Sequence, residues 1–251
     1  VNACDIPQTQ KGTLSKTDAS DSKRIGEAFA KQMLKPIYVP DKISEADRNL
    51  IRYRKRTQEL LKAKKQSIKS CLNILDIPIP ARHDKPYWTN NFIKWLQDLH
   101  IEEFSAKATI DGLVQDATFF RKKLLMLNQE IKKLSKSEKY NQMYDILNST
   151  PGIGLITAMT MLTEVVDINR FENFTKFNSF IGLCPSEFSS GEKERKGKMT
   201  SRSNKQIRSL IIEAAWVAIR LDPALTKKYQ ELLITKTKKR AIVVIARKLL
   251  S

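Results

Sequence analysis

The apolar positions of this 251-residue chain follow helical spacing over most of its length. The clearest pattern lies between residues 105 and 136, where apolar residues recur every three or four positions over more than three heptads. That spacing is typical of a seam between packed helices. The seam consists of Ile110, Leu113, Ala117, Phe120, Leu124, Leu127, Ile131 and Leu134. The pattern predicts a helix with a helical partner, without saying which helix that partner is.

A long basic helix is predicted before this seam, over residues 44–74, and it ends before the prolines at positions 78 and 80. Its apolar positions are sparse: Leu50, Leu61, Ile68 and Leu75. The connector over 76–104 has the spacing of a short helix, which indicates core packing rather than a surface on which bases stack. Its apolar residues are Trp88, Phe92, Trp95, Leu96 and Leu99. The two long helices predict an antiparallel helical hairpin, a coiled coil that could also pair between protomers.

The remaining segments also have helical periodicity, and a mainly α fold is therefore predicted. A first helix is expected at 18–35. Six shorter helices follow the hairpin, at 141–149, 154–166, 173–181, 204–220, 223–233 and 236–250. This organisation predicts three parts: an N-terminal segment 1–42, the helical hairpin 43–140, and an all-helical C-terminal domain 141–251.

The charge distribution points to an anionic polymer as the partner. The formal net charge is +18. Residues 192–251 hold 16 basic and 5 acidic residues, and residues 48–74 hold 9 and 1. Two concentrated basic surfaces suit nucleic acid better than acidic lipid, because no strongly amphipathic terminal helix accompanies them. No apolar run approaches a membrane span, and the three distant cysteines indicate neither a disulfide framework nor a zinc site.

The segment 182–191, Gly-Leu-Cys-Pro-Ser-Glu-Phe-Ser-Ser-Gly, places Ser189 and Ser190 in a predicted glycine-bounded loop just before a basic run. A serine that attacks a phosphodiester needs a hydroxyl free of helical backbone. It also needs cations that neutralise the developing charge. The alternative is an ordinary solvated loop beside a charged face.

The turn Pro151-Gly152-Ile153-Gly154 resembles a helix-hairpin-helix, in which glycines let backbone N–H groups approach a phosphate. The alternative is a tight turn that packs two helices together. Near the other end of the chain, Asp18 and Asp21 are three residues apart at a predicted helix start, so their carboxylates share one face. Paired carboxylates suit Mg²⁺. The alternative is helix capping, with Thr17 or Asp18 as the cap and Asp21 favoured by the helix dipole.

Several of these blocks have the order and spacing found in the C-terminal domain of the insertion-sequence-110 family of transposases. The resemblance covers about 100 residues, in the blocks at 151–154, 182–191, 200–204, 213–225 and 238–250. A further block, at 16–25, resembles the segment that carries the last two residues of the family's Asp-Glu-Asp-Asp metal site. The resemblance therefore implies that residues 1–42 are the C-terminal remnant of a RuvC-like α/β domain.

This resemblance implies DNA transposition by strand cleavage and strand exchange. Ser190 would be the catalytic serine that forms a covalent phosphoserine–DNA intermediate, and Asp18 and Asp21 would bind Mg²⁺. From their charge and their position in the sequence, Arg195, Lys196, Lys198, Arg202 and Lys205 would hold phosphates, and the turn glycines Gly152 and Gly154 would add backbone N–H groups. The implied partners are DNA, a structured guide RNA and further copies of the chain, assembled as a dimer or tetramer through the helical hairpin. The expected location is the bacterial cytoplasm, at the nucleoid.

The start of the chain departs from the family pattern. Only 15 residues precede Lys16, none of them is a Glu, and the chain begins with Val. We therefore expect a fragment with weak Mg²⁺ binding at best, which on its own is inactive or severely impaired. The alternative from another class is a non-catalytic module that binds structured nucleic acid. A RuvC-type junction nuclease is a third interpretation, and the missing acids argue against it.

Overall fold

The computed structural model of the protein describes residues 1, 5–6, 17–83, 88–190, 193–200 and 202–251, with the side chains of 185–190 and 193–198 outside that description. The described residues form ten α-helices and one two-stranded antiparallel sheet, so the predicted mainly α class is confirmed. The chain divides into two compact units, Val1–Lys42 and Ile43–Ser251. The RuvC-like origin of the first unit stays a prediction.

The first unit contains helix α1 (Asp18–Ala30). Its N-cap is Thr17, one of the two residues that the capping alternative names, and the Thr17 side chain accepts a hydrogen bond from the Ser20 amide in a capping box. The helix ends five residues before the predicted end at position 35. Gln32 has a φ of 52°, in the left-handed region that stops a right-handed helix.

In the second unit, α2 (Lys42–Ile74) and α4 (Phe104–Ser135) run antiparallel, with α3 (Asn90–Gln97) in the connection between them. We call the α2–α4 pair the arm. Polar contacts fix its direction: Lys64 Nζ lies 2.8 Å from Asp116, and Arg54 donates to Asn128 at 3.1 Å. Residues further along α2 therefore contact residues earlier in α4, as expected for antiparallel helices.

The arm has its own apolar core, formed by α2, α3 and α4. Its buried residues are Leu61, Ile68, Leu72, Trp88, Phe92, Leu96, Ile110, Val114 and Ala117. The predicted seam is correct at Ile110, Ala117, Leu127 and Ile131, which are buried, while its other four positions are only partly buried. Val114 is also buried, because a straight helix of 3.6 residues per turn drifts away from a strict 3-4 repeat.

Six helices follow the arm: α5 (Asn141–Ser149), α6 (Leu155–Val165), α7 (Phe174–Ile181), α8 (Lys205–Leu221), α9 (Pro223–Thr235) and α10 (Lys238–Lys248). Helix α8 is central to their core. Its buried face carries Ala214, Ala215 and Ala218, whose small side chains allow neighbouring segments to approach closely. Between α7 and α8 lie strands β1 (Pro185–Ser190) and β2 (Lys193–Met199), where the sequence predicts an irregular loop, and that prediction is wrong.

The arm joins these helices through a small cluster of Ile51, Ile131, Tyr140 and Met159. The Tyr140 hydroxyl donates to Asp47 Oδ2 at 2.8 Å, and Lys139 Nζ lies 3.0 Å from the same oxygen. Burial raises the pKa of Tyr140 to about 12. Within the described ranges, no helix is long and apolar enough to cross a membrane.

Candidate active site

The two candidate serines are the last two residues of strand β1. In the antiparallel register, Ser190 lies opposite Lys193, and Ser189 lies opposite Glu194. The predicted phosphate-binding residues Arg195, Lys196 and Lys198 belong to the facing strand. The chain therefore brings the serines and this basic run together in one β-hairpin, which we call the serine hairpin. The side chains at these positions lie outside the described residues.

A glycine with a left-handed backbone conformation lies between α7 and the serine hairpin. Gly182 ends α7 with a φ of 83°, and its amide donates to the Asn178 carbonyl at 2.8 Å. A Cβ atom at this position would lie 2.3 Å from Ser203 Oγ, far inside van der Waals contact. Only glycine suits both the dihedral angle and the space. Two residues on, the Cys184 carbonyl accepts from the Thr200 amide at 3.4 Å, which closes the base of the hairpin.

Arg208, in the first turn of α8, ties both sides of this base together. One of its terminal guanidinium nitrogens donates to the carbonyl of Gly182 at 3.2 Å and to that of Thr200 at 3.0 Å. The planar guanidinium presents several donors in fixed directions, so a single side chain can hold two carbonyls at a set separation. The two ends of the serine hairpin are thereby fixed to α8.

Asn204 connects the start of α8 to two other elements. Its Oδ1 accepts from the Ile207 amide at 3.1 Å, which caps the helix. Its backbone amide donates to the Phe180 carbonyl in α7 at 2.8 Å. Its Nδ2 donates to Glu164 Oε2 at 3.0 Å, so the capping side chain also binds a carboxylate at the end of α6.

Glu164 is a buried carboxylate, with 5% of its surface exposed. Arg52 of the arm binds it through two hydrogen bonds, from Nε at 2.7 Å and from a terminal nitrogen at 2.9 Å. This bond raises the pKa of the Arg52 guanidinium above its usual value. Arg48 donates to the Thr163 carbonyl at 3.1 Å and lies 3.8 Å from the carboxylate. A buried charge requires such partners, because an unpaired carboxylate pays its full desolvation cost.

The two remaining predicted phosphate-binding cations lie beside the base of the hairpin. Arg202 follows β2, and Lys205 is the first residue of α8; both are exposed. Further exposed cations lie at the start of α10 and along the outside of α2. They are Lys238, Lys239, Arg240, Arg56, Lys62 and Lys69.

The two glycines of the turn before α6 have different surroundings. Gly152 has a φ of 88°, and a Cβ there would lie 2.3 Å from the backbone oxygen of Ala214 in α8. Its position therefore meets a packing requirement. Gly154 is the exposed N-cap of α6 and has no side-chain cap, and a Cβ added there would meet no atom within 4 Å. The first-turn N–H groups of α6 are thus the part of the turn suited to an anion.

Asp18 and Asp21 occupy the first turn of α1, as predicted. Asp21 forms an ion pair with Arg24 at 2.6 Å, whereas Asp18 is exposed. Among the residues that the structure describes, no group of three or more His, Cys, Asp or Glu side chains could hold a metal ion. The described residues therefore do not make up a complete Mg²⁺ site, and a cation bound at Asp21 would compete with Arg24.

The contacts beneath the serine hairpin were not anticipated from the sequence. Asn204 before an apolar run is an N-cap signal, and it predicts the start of α8. No local pattern pairs Glu164 with Arg52, which is 112 residues away in the chain. The same is true of Arg208, whose acceptors are backbone carbonyls that carry no sequence signal.

Comparison with known proteins finds transposases among the relatives of this chain. Residues 144–230, which include α6, the serine hairpin and α8, match the Transposase IS116/IS110/IS902 family. The protein named "Putative transposase y4qE" of Sinorhizobium fredii is 26% identical over 228 residues, which is 89% of this chain and 53% of that protein. The transposase for insertion sequence element IS1111A of Coxiella burnetii is 34% identical over 92 residues, or 37% of this chain and 24% of that one.

A third relative, the insertion element IS110 uncharacterized 43.6 kDa protein of Streptomyces coelicolor, is 29% identical over 107 residues, covering 42% of this chain and 26% of that protein. Residues 144–230 are thus similar to the domain shared by the IS116, IS110 and IS902 transposases. The chain spans about half the length of the first of these relatives, and a quarter of the other two.

Proposed function

We propose that this chain acts in DNA transposition, with Ser190 as the nucleophile that attacks a DNA phosphodiester. The observation that carries the proposal is the position of Ser190 at the end of β1, opposite Lys193, in a hairpin whose second strand is basic. This hairpin lies within the segment that matches the transposase family.

The chemical step is a transesterification. The Ser190 hydroxyl loses its proton to solvent or a neighbouring base, and its oxygen bonds to phosphorus. The bond from phosphorus to one sugar oxygen breaks, and that oxygen takes up a proton and leaves as a sugar hydroxyl. A hydroxyl of a second DNA strand then attacks the phosphoserine and releases the serine, so one phosphodiester replaces another. Cations near the reacting phosphate stabilise the extra negative charge of the transition state. We assign this role to Arg195, Lys196 and Lys198.

The wider surface would hold the DNA backbone. Arg202 and Lys205 lie beside the base of the hairpin, and the exposed start of α6 at Gly154 offers backbone N–H groups to a phosphate. The contribution of Gly152 to phosphate binding stays a prediction, since its position packs against α8.

Three further features of the proposal rest on the family resemblance. Asp18 and Asp21 would supply two Mg²⁺ ligands, a structured RNA would guide the DNA, and copies of the chain would assemble through the arm. Isothermal titration of Mg²⁺ into the chain and into an Asp18→Asn variant tests the first. Binding that is equal in both proteins would remove Asp18 from the site.

The central experiment replaces each serine by alanine in the full-length protein supplied with donor and target DNA. Ser190→Ala should abolish the covalent protein–DNA species that is trapped by denaturation, while DNA binding stays within a few fold. Ser189→Ala is the matched control one residue away and should retain the adduct. Adducts that persist in Ser190→Ala, or that vanish only in Ser189→Ala, would show that Ser190 is not the nucleophile.

A non-catalytic nucleic-acid-binding module is the second candidate function. The pairing of Asp21 with Arg24 favours it, because that carboxylate is already neutralised by the protein. Under this alternative, each serine substitution changes only the affinity for nucleic acid, and by a small amount. The unsubstituted protein forms no covalent adduct with DNA.

A further inference from the structure

At Glu164 the arm, α6 and the start of α8 meet through polar contacts. Arg52 binds it from the arm, and Asn204 binds it from the segment that follows the serine hairpin. The carboxylate is buried, and each of its oxygens accepts a hydrogen bond shorter than or equal to 3.0 Å. A pair of apolar side chains would fill such a place without the cost of desolvation. What the charged contact adds is a defined geometry between elements.

From Asn204 the contacts continue to the base of the serine hairpin. The backbone amide of Asn204 donates to the Phe180 carbonyl in the last turn of α7. Four residues further on, the Arg208 side chain donates to the carbonyls at both ends of the hairpin. The Thr200 amide then bonds the Cys184 carbonyl across the base. Within the first turn of α8, the Arg208 amide donates to the Asn204 carbonyl at 3.1 Å. The path from Arg52 to Thr200 is therefore a continuous series of hydrogen bonds between described residues.

The length of the arm allows a contact near its tip to affect this series of hydrogen bonds. Helix α2 continues for 22 residues beyond Arg52, to Ile74, which corresponds to roughly 33 Å at 1.5 Å per residue. A force applied near the tip of the arm, by nucleic acid or another protein copy, therefore turns α2 about its base. Arg52 lies at that base, beside the Ile51 and Met159 cluster.

We propose that Glu164 is a positioning residue that couples the orientation of the arm to the conformation of the serine hairpin. The inference rests on the proposed role of Ser190 for its functional meaning, but the coupling itself is a property of the folded chain. Arg52 holds one side of the carboxylate and Asn204 holds the other. A displacement of the arm shifts Glu164, and through Asn204 and Arg208 it shifts the base of the hairpin.

Hydrogen exchange of the Thr200 amide tests the coupling in the absence of DNA. Arg52→Met removes the contact from the arm and should speed this exchange by about tenfold or more, because the base of the hairpin opens more often. Asn204→Ser keeps an oxygen that can cap α8 but removes the donor to Glu164, and should have a similar effect. The double variant should exchange no faster than the faster single variant, since both substitutions break the same path.

The matched control is Lys64→Met, which removes a cation and a 2.8 Å ion pair with Asp116 from the same helix, 12 residues further along the arm. It should leave the exchange at Thr200 unchanged. The slowest amides of α8, which exchange through global unfolding, should accelerate less than the Thr200 amide in Arg52→Met and Asn204→Ser, and should be unaffected in Lys64→Met. Arg52→Lys, which keeps the charge but loses the two-point contact, should give an intermediate rate and replaces Arg52→Met if that variant does not fold.

The proposal is overturned if Arg52→Met and Arg52→Lys leave the Thr200 exchange within twofold of the original protein. It is equally overturned if Lys64→Met has the same effect, or if the α8 amides accelerate in parallel, since either result means general destabilisation. The outcome is independent of the serine chemistry. Faster exchange together with adducts in Ser190→Ala would uphold the coupling and refute the nucleophile, and the converse pair of results would do the reverse.

Discussion

The two glycines of the turn before α6 give a matched pair of substitutions with very different expected costs. At Gly152, a Cβ would lie 2.3 Å from the Ala214 backbone oxygen and 3.2 Å from the Ala218 backbone nitrogen. At Gly154, in the same turn, nothing lies within 4 Å of the position that a Cβ would take. Alanine at both positions adds the same methyl group to the same turn, so the comparison isolates the contact with α8.

The magnitude follows from two contributions at Gly152. Its φ of 88° is a conformation that costs an L-residue about 1–2 kcal/mol. In addition, the turn and α8 must separate by about 1 Å to restore ordinary contact, and overpacking of this kind costs about 1–3 kcal/mol. We therefore expect Gly152→Ala to lower the free energy of unfolding by about 2–5 kcal/mol. Gly154→Ala replaces one modest N-cap by a poorer one and should cost about 1 kcal/mol or less.

Urea unfolding followed by far-ultraviolet circular dichroism measures both values, and thermal unfolding provides a second measurement. For a domain of this size, each kcal/mol corresponds to about 2–4 °C in Tm. Equal losses for the two variants, or a loss below about 1 kcal/mol at Gly152, would refute the argument from α8. If Gly154→Ala keeps its stability but weakens DNA binding, the phosphate role belongs to the start of α6 and not to the packed glycine.

Three further outcomes are expected. Because burial raises the pKa of Tyr140 to about 12, the contribution of this residue to stability is fully present below about pH 10 and is lost as the pH rises towards 12. In urea-unfolding experiments, the free energy of unfolding of Tyr140→Phe should therefore fall less over this pH range than that of the original protein. Identical pH profiles of the two proteins would contradict the assignment. The amide of Asn178 is buried and has no hydrogen-bond partner in the described structure, so Asn178→Leu, which is similar in size, should be neutral or stabilising by about 1 kcal/mol; a clear loss of stability would mean that the amide is bonded in solution. The affinity for DNA should fall by roughly 10³-fold between 50 and 200 mM salt, if the basic surfaces make several phosphate contacts, and binding that ignores salt in a filter or anisotropy assay would remove the electrostatic basis of the proposed function.

Local sequence signals predicted the helices well where an element is long, periodic and bounded. The two arm helices and α5 begin and end within two residues of their predicted limits, because apolar periodicity and caps act over a few residues. The serine hairpin was missed, since β1 and β2 have no alternation of apolar and polar residues.

The sequence by itself determined the mainly α class, the antiparallel arm, the concentrated positive charge and the serine-bearing segment. These depend on periodicity, composition and short motifs, all of which are present in neighbouring residues. The tertiary structure alone decided that Gly152 packs on α8, that Val114 joins the arm core, and that Glu164 binds both Arg52 and Asn204. Such contacts join residues as much as 112 positions apart. They arise only when packing of the apolar faces brings these helices together. No local sequence pattern predicts which residues then come into contact.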